Sequence, residues 1–300
     1  MEQLLGMVKS ILAIINPISG YARSRELPTL LRQRLRQAGF HATVYVTTGP
    51  ADAYEQTRNL AREFDLVLAC GGDGTVRDVV AAAAPSDVPV TILPSGTENL
   101  FAKQLGIRAD LDRVVETIRW GKIITMDMAM VNGRGYLMLS GVGFDAEVLL
   151  HLNSFRTGNI THLTYFWPIW RTFWEYGFSP ITIEADGKII VKNEPGLAFV
   201  SNISRYAVGL RICQRAIQDD GLLDVCFYRC RHQIPLLMHA WRTVLKRHLR
   251  HPDVVYHQAR QIKVTSPVAM PYQTDGDPAG YLPAVYTVVP GRVKVMVPPA

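Results

Sequence analysis

The run Ala69, Cys70, Gly71, Gly72, Asp73, Gly74, Thr75 sets one carboxylate among glycines directly after the apolar segment from Phe64 to Cys70. Glycine tolerates positive φ and carries no Cβ, so backbone N–H groups can approach an anion closely. A helix expected over Val76 to Ala84 would turn its N-terminal dipole on the same charge. An acid amid such donors points to a phosphate that arrives with a metal, although an ordinary turn accounts for the same residues. Two other polar loops follow apolar segments in the same way: Asn16, Pro17, Ile18, Ser19, Gly20 and, further on, Pro94, Ser95, Gly96, Thr97.

Phosphoryl transfer needs a nucleotide cradle, a divalent cation, positive charge near the phosphates and a carboxylate for the acceptor hydroxyl. Asp73 is the natural acid on the metal side, Thr75 and Thr97 bring hydroxyl and amide donors, and Arg23, Arg25 and Lys103 bring cations. There is no GxxxxGK[ST] lysine loop and no HRD catalytic loop, so the design differs from P-loop enzymes and protein kinases. His232, His239, His248, His251 and His257 lack compact ligand spacing, and no GxSxG elbow occurs, which argues against zinc chemistry and hydrolysis.

The elements around these loops alternate. Strands are expected at Ile11–Ile15, His41–Thr47, Asp65–Cys70 and Pro89–Leu93, with helices at Leu27–Ala38, Asp52–Glu63, Val76–Ala84, Glu98–Leu105 and Asp110–Trp120. Strand–helix alternation implies right-handed crossovers and a mostly parallel sheet, with the three loops together at its carboxyl edge. From Ile123 the texture changes to short β-rich segments joined by turns, the pattern of an antiparallel second domain. The expected domains are residues 1–125, α/β, and residues 126–300, of β-sandwich type, with the final strand returning to the first. Phe166 to Phe178 is dense in aromatic residues, either a helix packed on the sandwich or the wall of an apolar site. Leu236 to Leu249 reads as a helix whose basic end suits a solvated face or an anionic membrane.

The chain has 300 residues, 48% hydrophobic and 19% charged, with a net charge of +6, as expected of a globular protein of about two domains. Its four cysteines show no paired spacing, so free thiols and a cytoplasmic setting are expected. Met1 to Ser10 lacks the pattern of a signal peptide, and no uncharged apolar run reaches the roughly 18 residues of a membrane span. Membrane contact, if made, would be peripheral. No nucleic-acid partner is expected, and a homodimer is left open.

Taken in order, Asn16-Pro17-x-Ser19-Gly20, Gly71-Gly72-Asp73-Gly74-Thr75 and Pro94-x-Gly96-Thr97-x-Asn99 resemble the diacylglycerol kinase catalytic-domain family, which includes bacterial lipid kinases and the sphingosine and ceramide kinases and is distantly similar to NAD kinase. Three later signatures extend the resemblance over nearly the whole chain: Gly141-Val142-Gly143-Phe144-Asp145-Ala146, Asp219-Asp220-Gly221-Leu222-Leu223-Asp224 and Thr274-Asp275-Gly276-Asp277-Pro278. The resemblance implies ATP-dependent, Mg²⁺-dependent phosphorylation of a lipid hydroxyl, diacylglycerol- or sphingoid-like, at the membrane surface. By the same correspondence Asn16, Thr47, Gly72, Asp73, Gly74, Thr75, Asp78 and Thr97 would line the nucleotide. Asp277 would accept the acceptor's proton, and Asp73, acting through metal and water, would complete the catalytic group, with Asp127 a further candidate. Asp220, with the carbonyls of Ile217 and Leu222, would hold a second, structural Mg²⁺.

Departures from the family pattern are local. Arg77-Asp78 stands where relatives carry Asn-Glu, Asn99-Leu100-Phe101 stands for Asn-Asp-Phe, and Asp277 replaces a glutamate, shortening its reach by roughly 1.5 Å. An NAD kinase-like enzyme acting on a soluble ribose hydroxyl and a catalytically silent nucleotide- or lipid-binding regulator are the alternatives.

Overall fold

The computed structural model describes residues 8–20, 25–154, 170–206 and 209–299. They form two compact units, Met1–Met128 with Pro290–Ala300, and Ala129–Val289. The expected α/β half with a mostly parallel sheet and the β-sandwich half are both observed.

In the first unit, strands β1 (Ser10–Ile15), β2 (His41–Val46), β3 (Leu66–Gly71) and β4 (Val90–Pro94) alternate with helices α1 (Leu27–Gln37), α2 (Asp52–Leu60) and α3 (Asp73–Ala83). Helices α4 (Leu100–Gln104) and α5 (Leu111–Trp120) follow before β5 (Lys122–Val131). The sheet runs β2-β1-β3-β4-β15 (β15, Ala284–Val297), each of these neighbouring pairs parallel, and β5 also pairs with β15. Strands β1, β3 and β4 are near-continuous apolar runs because both their faces are covered. Helix α1 places Leu27, Leu31 and Leu35 at four-residue spacing, one stripe fully buried against β1 and β3. Pro28 at its start fits the first turn, where a missing N–H costs nothing. Helix α5 begins on Asp110, whose carboxylate accepts the N–H groups of Asp112 and Arg113.

The second unit is all antiparallel. One layer holds β8 (Pro180–Ala185), β12 (Gln261–Thr265) and the first half of β15. The other runs β14 (Asp277–Tyr281), β13 (Pro271–Thr274), β7 (Leu139–Val142), β10 (Leu223–Arg229) and β11 (Val254–Ala259), with β9 (Lys188–Ser201) between β7 and β10. Strand β9 serves both layers, pairing β8 through Pro195 and then β7 and β10 from Gly196 onward. The backbone passes extended through Glu194-Pro195-Gly196, so that β9 is one strand of 14 residues. Tyr136, from β6 (Arg134–Tyr136), meets Tyr286 edge-on at 6.2 Å in the core, among Val200, Val225, Phe227, Ile262 and Val264. Helix α6 (Phe144–Ser154) and helix α7 (Gln233–Val244) complete the unit.

Candidate functional site

Three loops converge at the carboxyl ends of β1, β3 and β4. Asn16 sits at the centre of the first: its backbone N–H donates to the Cys70 carbonyl at 2.9 Å, its Nδ2 donates to Thr75 Oγ1 at 2.9 Å, and its Oδ1 accepts from Ile18 N–H at 3.2 Å. The Ser95 N–H donates to the Gly71 carbonyl at 2.9 Å, continuing the strand pairing into the loops. Thr47, at the end of β2, donates its N–H to the Ile15 carbonyl at 2.8 Å and is buried.

The glycine run does a different job from the one expected of it. None of Gly71, Gly72 and Gly74 takes a left-handed backbone, and Gly72 has φ −86° and ψ −175°. What they provide is room. A Cβ on Gly96 would lie 2.5 Å from the Gly72 Cα and one on Gly72 would lie 3.3 Å from the Gly96 Cα, so the second and third loops touch backbone to backbone. Helix α3 also starts at Asp73, three residues before Val76, which places Asp73, Gly74 and Thr75 in its first turn. Gly72 caps it without a side chain, leaving the first amides of an 11-residue helix at the loop cluster.

Asp73 reaches across to the third loop. Its two oxygens accept the N–H groups of Leu100 at 3.0 Å and Phe101 at 3.1 Å, which open α4. Asn99, with φ 51°, folds back so that its side chain accepts from the Gly96 N–H and donates to the Gly96 carbonyl. Thr97 is exposed in that turn. Asp78 stands on the second turn of α3 and pairs with its neighbour Arg77, Nη2 to Oδ1 at 2.9 Å. Asp127 on β5 is buried and accepts the Gly291 N–H at 2.8 Å. Among the cations, Lys103 is exposed and lies 3.7 Å from Glu98, Arg25 is exposed, and Arg23 lies outside the described residues.

In the second unit Asp277 is the first residue of β14, half-buried, across the hairpin from Thr274. The two-residue turn is Asp275, φ 50°, and Gly276, φ 89°, the primed geometry that suits antiparallel strands. Asp275 is more than a turn residue: its carboxylate accepts the N–H groups of Leu137 at 2.8 Å, Met138 at 2.9 Å and Leu139 at 3.1 Å, tying the hairpin tip to the β6–β7 connection. Gly276 donates its N–H to Gln273 Oε1 at 2.8 Å, and Gln273 Nε2 donates to Asp145 Oδ2 at 2.7 Å. Tyr206 donates to the other Asp145 oxygen at 2.5 Å. Asp145 is half-buried by exposed surface, yet protein packed around its carboxyl raises its pKa by desolvation, against the lowering effect of the Tyr206 and Gln273 hydrogen bonds. Gly141 permits this arrangement, since a Cβ there would lie 2.1 Å from Asp145 Oδ2.

The Asp219-Asp220-Gly221 segment is an exposed turn in which Asp220 Oδ1 accepts the Leu222 N–H at 3.0 Å, and Ile217 is exposed beside it. Among the described residues no group of three His, Cys, Asp or Glu side chains could hold a metal ion. Phe166 and Trp167 of the aromatic segment lie outside the described residues. The remainder holds a helical stretch, 170–175, where Phe173 and Tyr176 pack edge-on against Phe144 of α6.

The motif readings overlooked Asp275, Gln273, Asp145 and Tyr206 as one connected network. Asp145 and Asp275 were visible as members of motifs, but their partners stand 60 to 140 positions away and only β-pairing brings them together.

Residues 10–131 match the diacylglycerol kinase catalytic domain, and residues 139–297 match the YegS C-terminal NAD kinase beta sandwich-like domain. The chain belongs to the diacylglycerol kinase catalytic-domain family, as its ordered motifs led us to expect. A diacylglycerol kinase of Bacillus subtilis (strain 168) is 27% identical over 289 residues, 95% of each chain. One from Staphylococcus carnosus (strain TM300) is 26% identical over 298 residues, 97% of this chain and 96% of the relative. These relatives make the family one of lipid kinases. A crystal structure from Bacillus anthracis str. Sterne aligns over 100% of this chain and 98% of its own, with TM-score 0.79 at 22% identity. A second, of a diacylglycerol kinase from the same strain, gives TM-score 0.70 at 19% identity over 97% and 98%. At such identities the likeness shows the fold.

Proposed function

We propose that this protein transfers the γ-phosphoryl group of ATP to the hydroxyl of a diacylglycerol- or sphingoid-like lipid at a membrane surface. The observation that carries the reading is the backbone contact between Gly72 and Gly96, with Asp73 gripping the start of α4, at the carboxyl edge of a parallel sheet. That edge is where α/β sheets bind ligands, and a side chain on either glycine would push the two loops apart. Asn16, Thr47, Gly72, Gly74, Thr75 and Thr97 line the nucleotide, with the first amides of α3 offered to its phosphates. Asp78, partly neutralised by Arg77, borders it.

The donors suit Mg²⁺, which prefers oxygen and keeps much of its water. Each Asp73 oxygen accepts one backbone N–H and retains a lone pair for a metal-bound water. Bound there, the ion would neutralise charge developing on the phosphates. Asp220, with the Ile217 and Leu222 carbonyls, is an all-oxygen set for a second, structural Mg²⁺. Asp277 takes the proton from the acceptor hydroxyl as its oxygen attacks the γ-phosphorus and ADP leaves. Asp275 and the Gln273–Asp145 pair fix the turn on which Asp277 stands.

Transfer of labelled phosphate from ATP with Mg²⁺ to a panel of diacylglycerol, ceramide, sphingosine and NAD tests the reading. A labelled lipid is the expected product. Labelled NADP would replace it with NAD kinase-like chemistry, and ATP binding without product from any acceptor would make the chain a silent regulator.

A further inference from the structure

Helix α7 is packed the wrong way round for an ordinary surface helix. The side chains it buries are polar: His239 and Thr243, one turn apart, are 2% and 5% exposed. Thr243 Oγ1 hydrogen-bonds the Tyr228 hydroxyl at 2.9 Å, and the His239 ring lies 5.1 Å from that of Tyr228 and bonds to the Arg229 carbonyl. Burial lowers the pKa of His239, so it sits in the unit as a neutral ring.

The outward face carries the large apolar residues. Ile234, Leu237, Met238, Trp241 and Val244 are 62%, 54%, 47%, 65% and 54% exposed, and Leu245 follows at 46%. At about 100° per residue these positions fall within an arc of about 120°, centred opposite His239 and Thr243. Trp174, 55% exposed, stands nearby: its carbonyl accepts from Gln233 Nε2 at 3.1 Å, at the start of the same helix. Isolated exposed apolar side chains are commonplace, but an aligned stripe with a tryptophan at its middle is an interaction surface.

Charge chooses the partner. Residues 231–250 hold five Lys or Arg, namely Arg231, Arg242, Lys246, Arg247 and Arg250, and no Asp or Glu. Four of the five cluster at the C-terminal end of the stripe, with Lys246, Arg247 and Arg250 exposed. An apolar face with a cationic border is matched by acyl chains beneath anionic headgroups. Self-association through the same face would bring two cationic borders together at a like-charge cost. No helix among the described residues is long and apolar enough to cross a membrane, so the geometry is that of a helix lying on one.

We infer that the outer face of α7, residues 234–245, is a docking surface for an anionic lipid bilayer, laid into the headgroup layer with Trp241 at its centre. This deepens the proposed lipid-kinase reading by naming the element that meets the membrane, and it is tested without turnover. The full chain is floated with vesicles of phosphatidylcholine alone and of phosphatidylcholine and phosphatidylglycerol in equal parts, beside the double variant L237E/W241E and the charge variant R242E/R247E. Wild type should float with the anionic vesicles, far less with the neutral ones, and less in high salt. Both variants should lose about tenfold or more in partitioning while keeping wild-type melting temperatures, as these side chains point away from the core. Wild-type binding by L237E/W241E overturns the inference, as does equal binding to both vesicles. A concentration-dependent dimer that L237E/W241E dissolves, with vesicle binding unchanged, would give the face to a second copy instead. Because flotation reads binding alone, a chain inactive on every acceptor can still satisfy it, and an active chain that never floats refutes it.

Discussion

Replacing Asp73 with asparagine separates what its shape does from what its charge does. In the native site each oxygen accepts one backbone N–H, from Leu100 at 3.0 Å and from Phe101 at 3.1 Å. An asparagine keeps one acceptor and turns an NH₂ group toward the other N–H, so one hydrogen bond is lost and a donor faces a donor. A hydrogen bond to a charged group contributes about 1.5–3 kcal/mol, and Asp73 is only half-buried, so water recovers part of the loss. The expected cost is about 1–2 kcal/mol, which for a chain of this size is a fall of a few degrees in melting temperature. The alanine variant loses both bonds and should fall further. The effect on turnover should be much larger than stability alone implies, because the start of α4 would be held against α3 by one hydrogen bond in place of two. A displacement on the order of 1 Å at a site of phosphoryl transfer costs about a hundredfold. Calorimetry without ligand and initial rates with saturating ATP and Mg²⁺ give the two numbers. An asparagine variant that melts and turns over as wild type would remove Asp73 both as a clamp and as a catalytic group.

The other predictions are shorter. In Gly96→Ala the new Cβ lies 2.5 Å from the Gly72 Cα, where only backbone can yield; a loss of about 1–3 kcal/mol and a raised KM for ATP are expected, and an unchanged KM counts against a nucleotide there. Asp277→Asn should lower kcat about 10²–10⁴-fold with the melting temperature unchanged, and wild-type kcat would dismiss Asp277 as proton acceptor. Asp145→Asn tests the buried network through pH. Desolvation raises the Asp145 pKa, so above the ordinary carboxylate value the folded chain holds a proton that the unfolded chain has released. Wild-type stability is therefore undiminished below the unfolded value and falls as pH rises through the window up to the folded one. Asparagine has no proton to lose, so denaturation midpoints should favour Asp145→Asn increasingly as pH rises above the ordinary carboxylate range; an advantage that grows toward acid would reverse the sign and sink the assignment.

The parallel half was legible because its signals are local. Apolar runs such as Ser10–Ile15 and Leu66–Gly71 can only be strands covered on both faces, and leucines four apart can only make the stripe of α1. The start of α3 was misjudged because Gly74 and Asp73 weigh against helix on propensity, whereas the packing of Gly72 on Gly96 fixes the turn and begins the helix at Asp73. In β9 the strand changes sheets at Pro195, and a proline is tolerated where pairing passes from β8 to β10.

The candidate site divides along the same line. Which loops would gather at the carboxyl edge followed from topology alone, so Asn16, Asp73 and Thr97 could be singled out before any coordinate. What those residues hold could not. Asp73 meets amides 27 and 28 positions away, and Asp275 meets three amides more than 130 positions away. A carboxylate facing backbone N–H groups and a carboxylate facing a metal are the same letter in a sequence. The reverse holds for α7, whose leucines and tryptophan have the spacing of any core helix. Which way that stripe points depends on whether Tyr228 offers a hydroxyl to Thr243 from the strand beneath, and it does. A helix that buries its threonine and histidine and leaves a tryptophan in water relies on the bonds inside, Thr243 to Tyr228 and His239 Nε2 to the Arg229 carbonyl, and the surface it leaves outside is what a bilayer would cover.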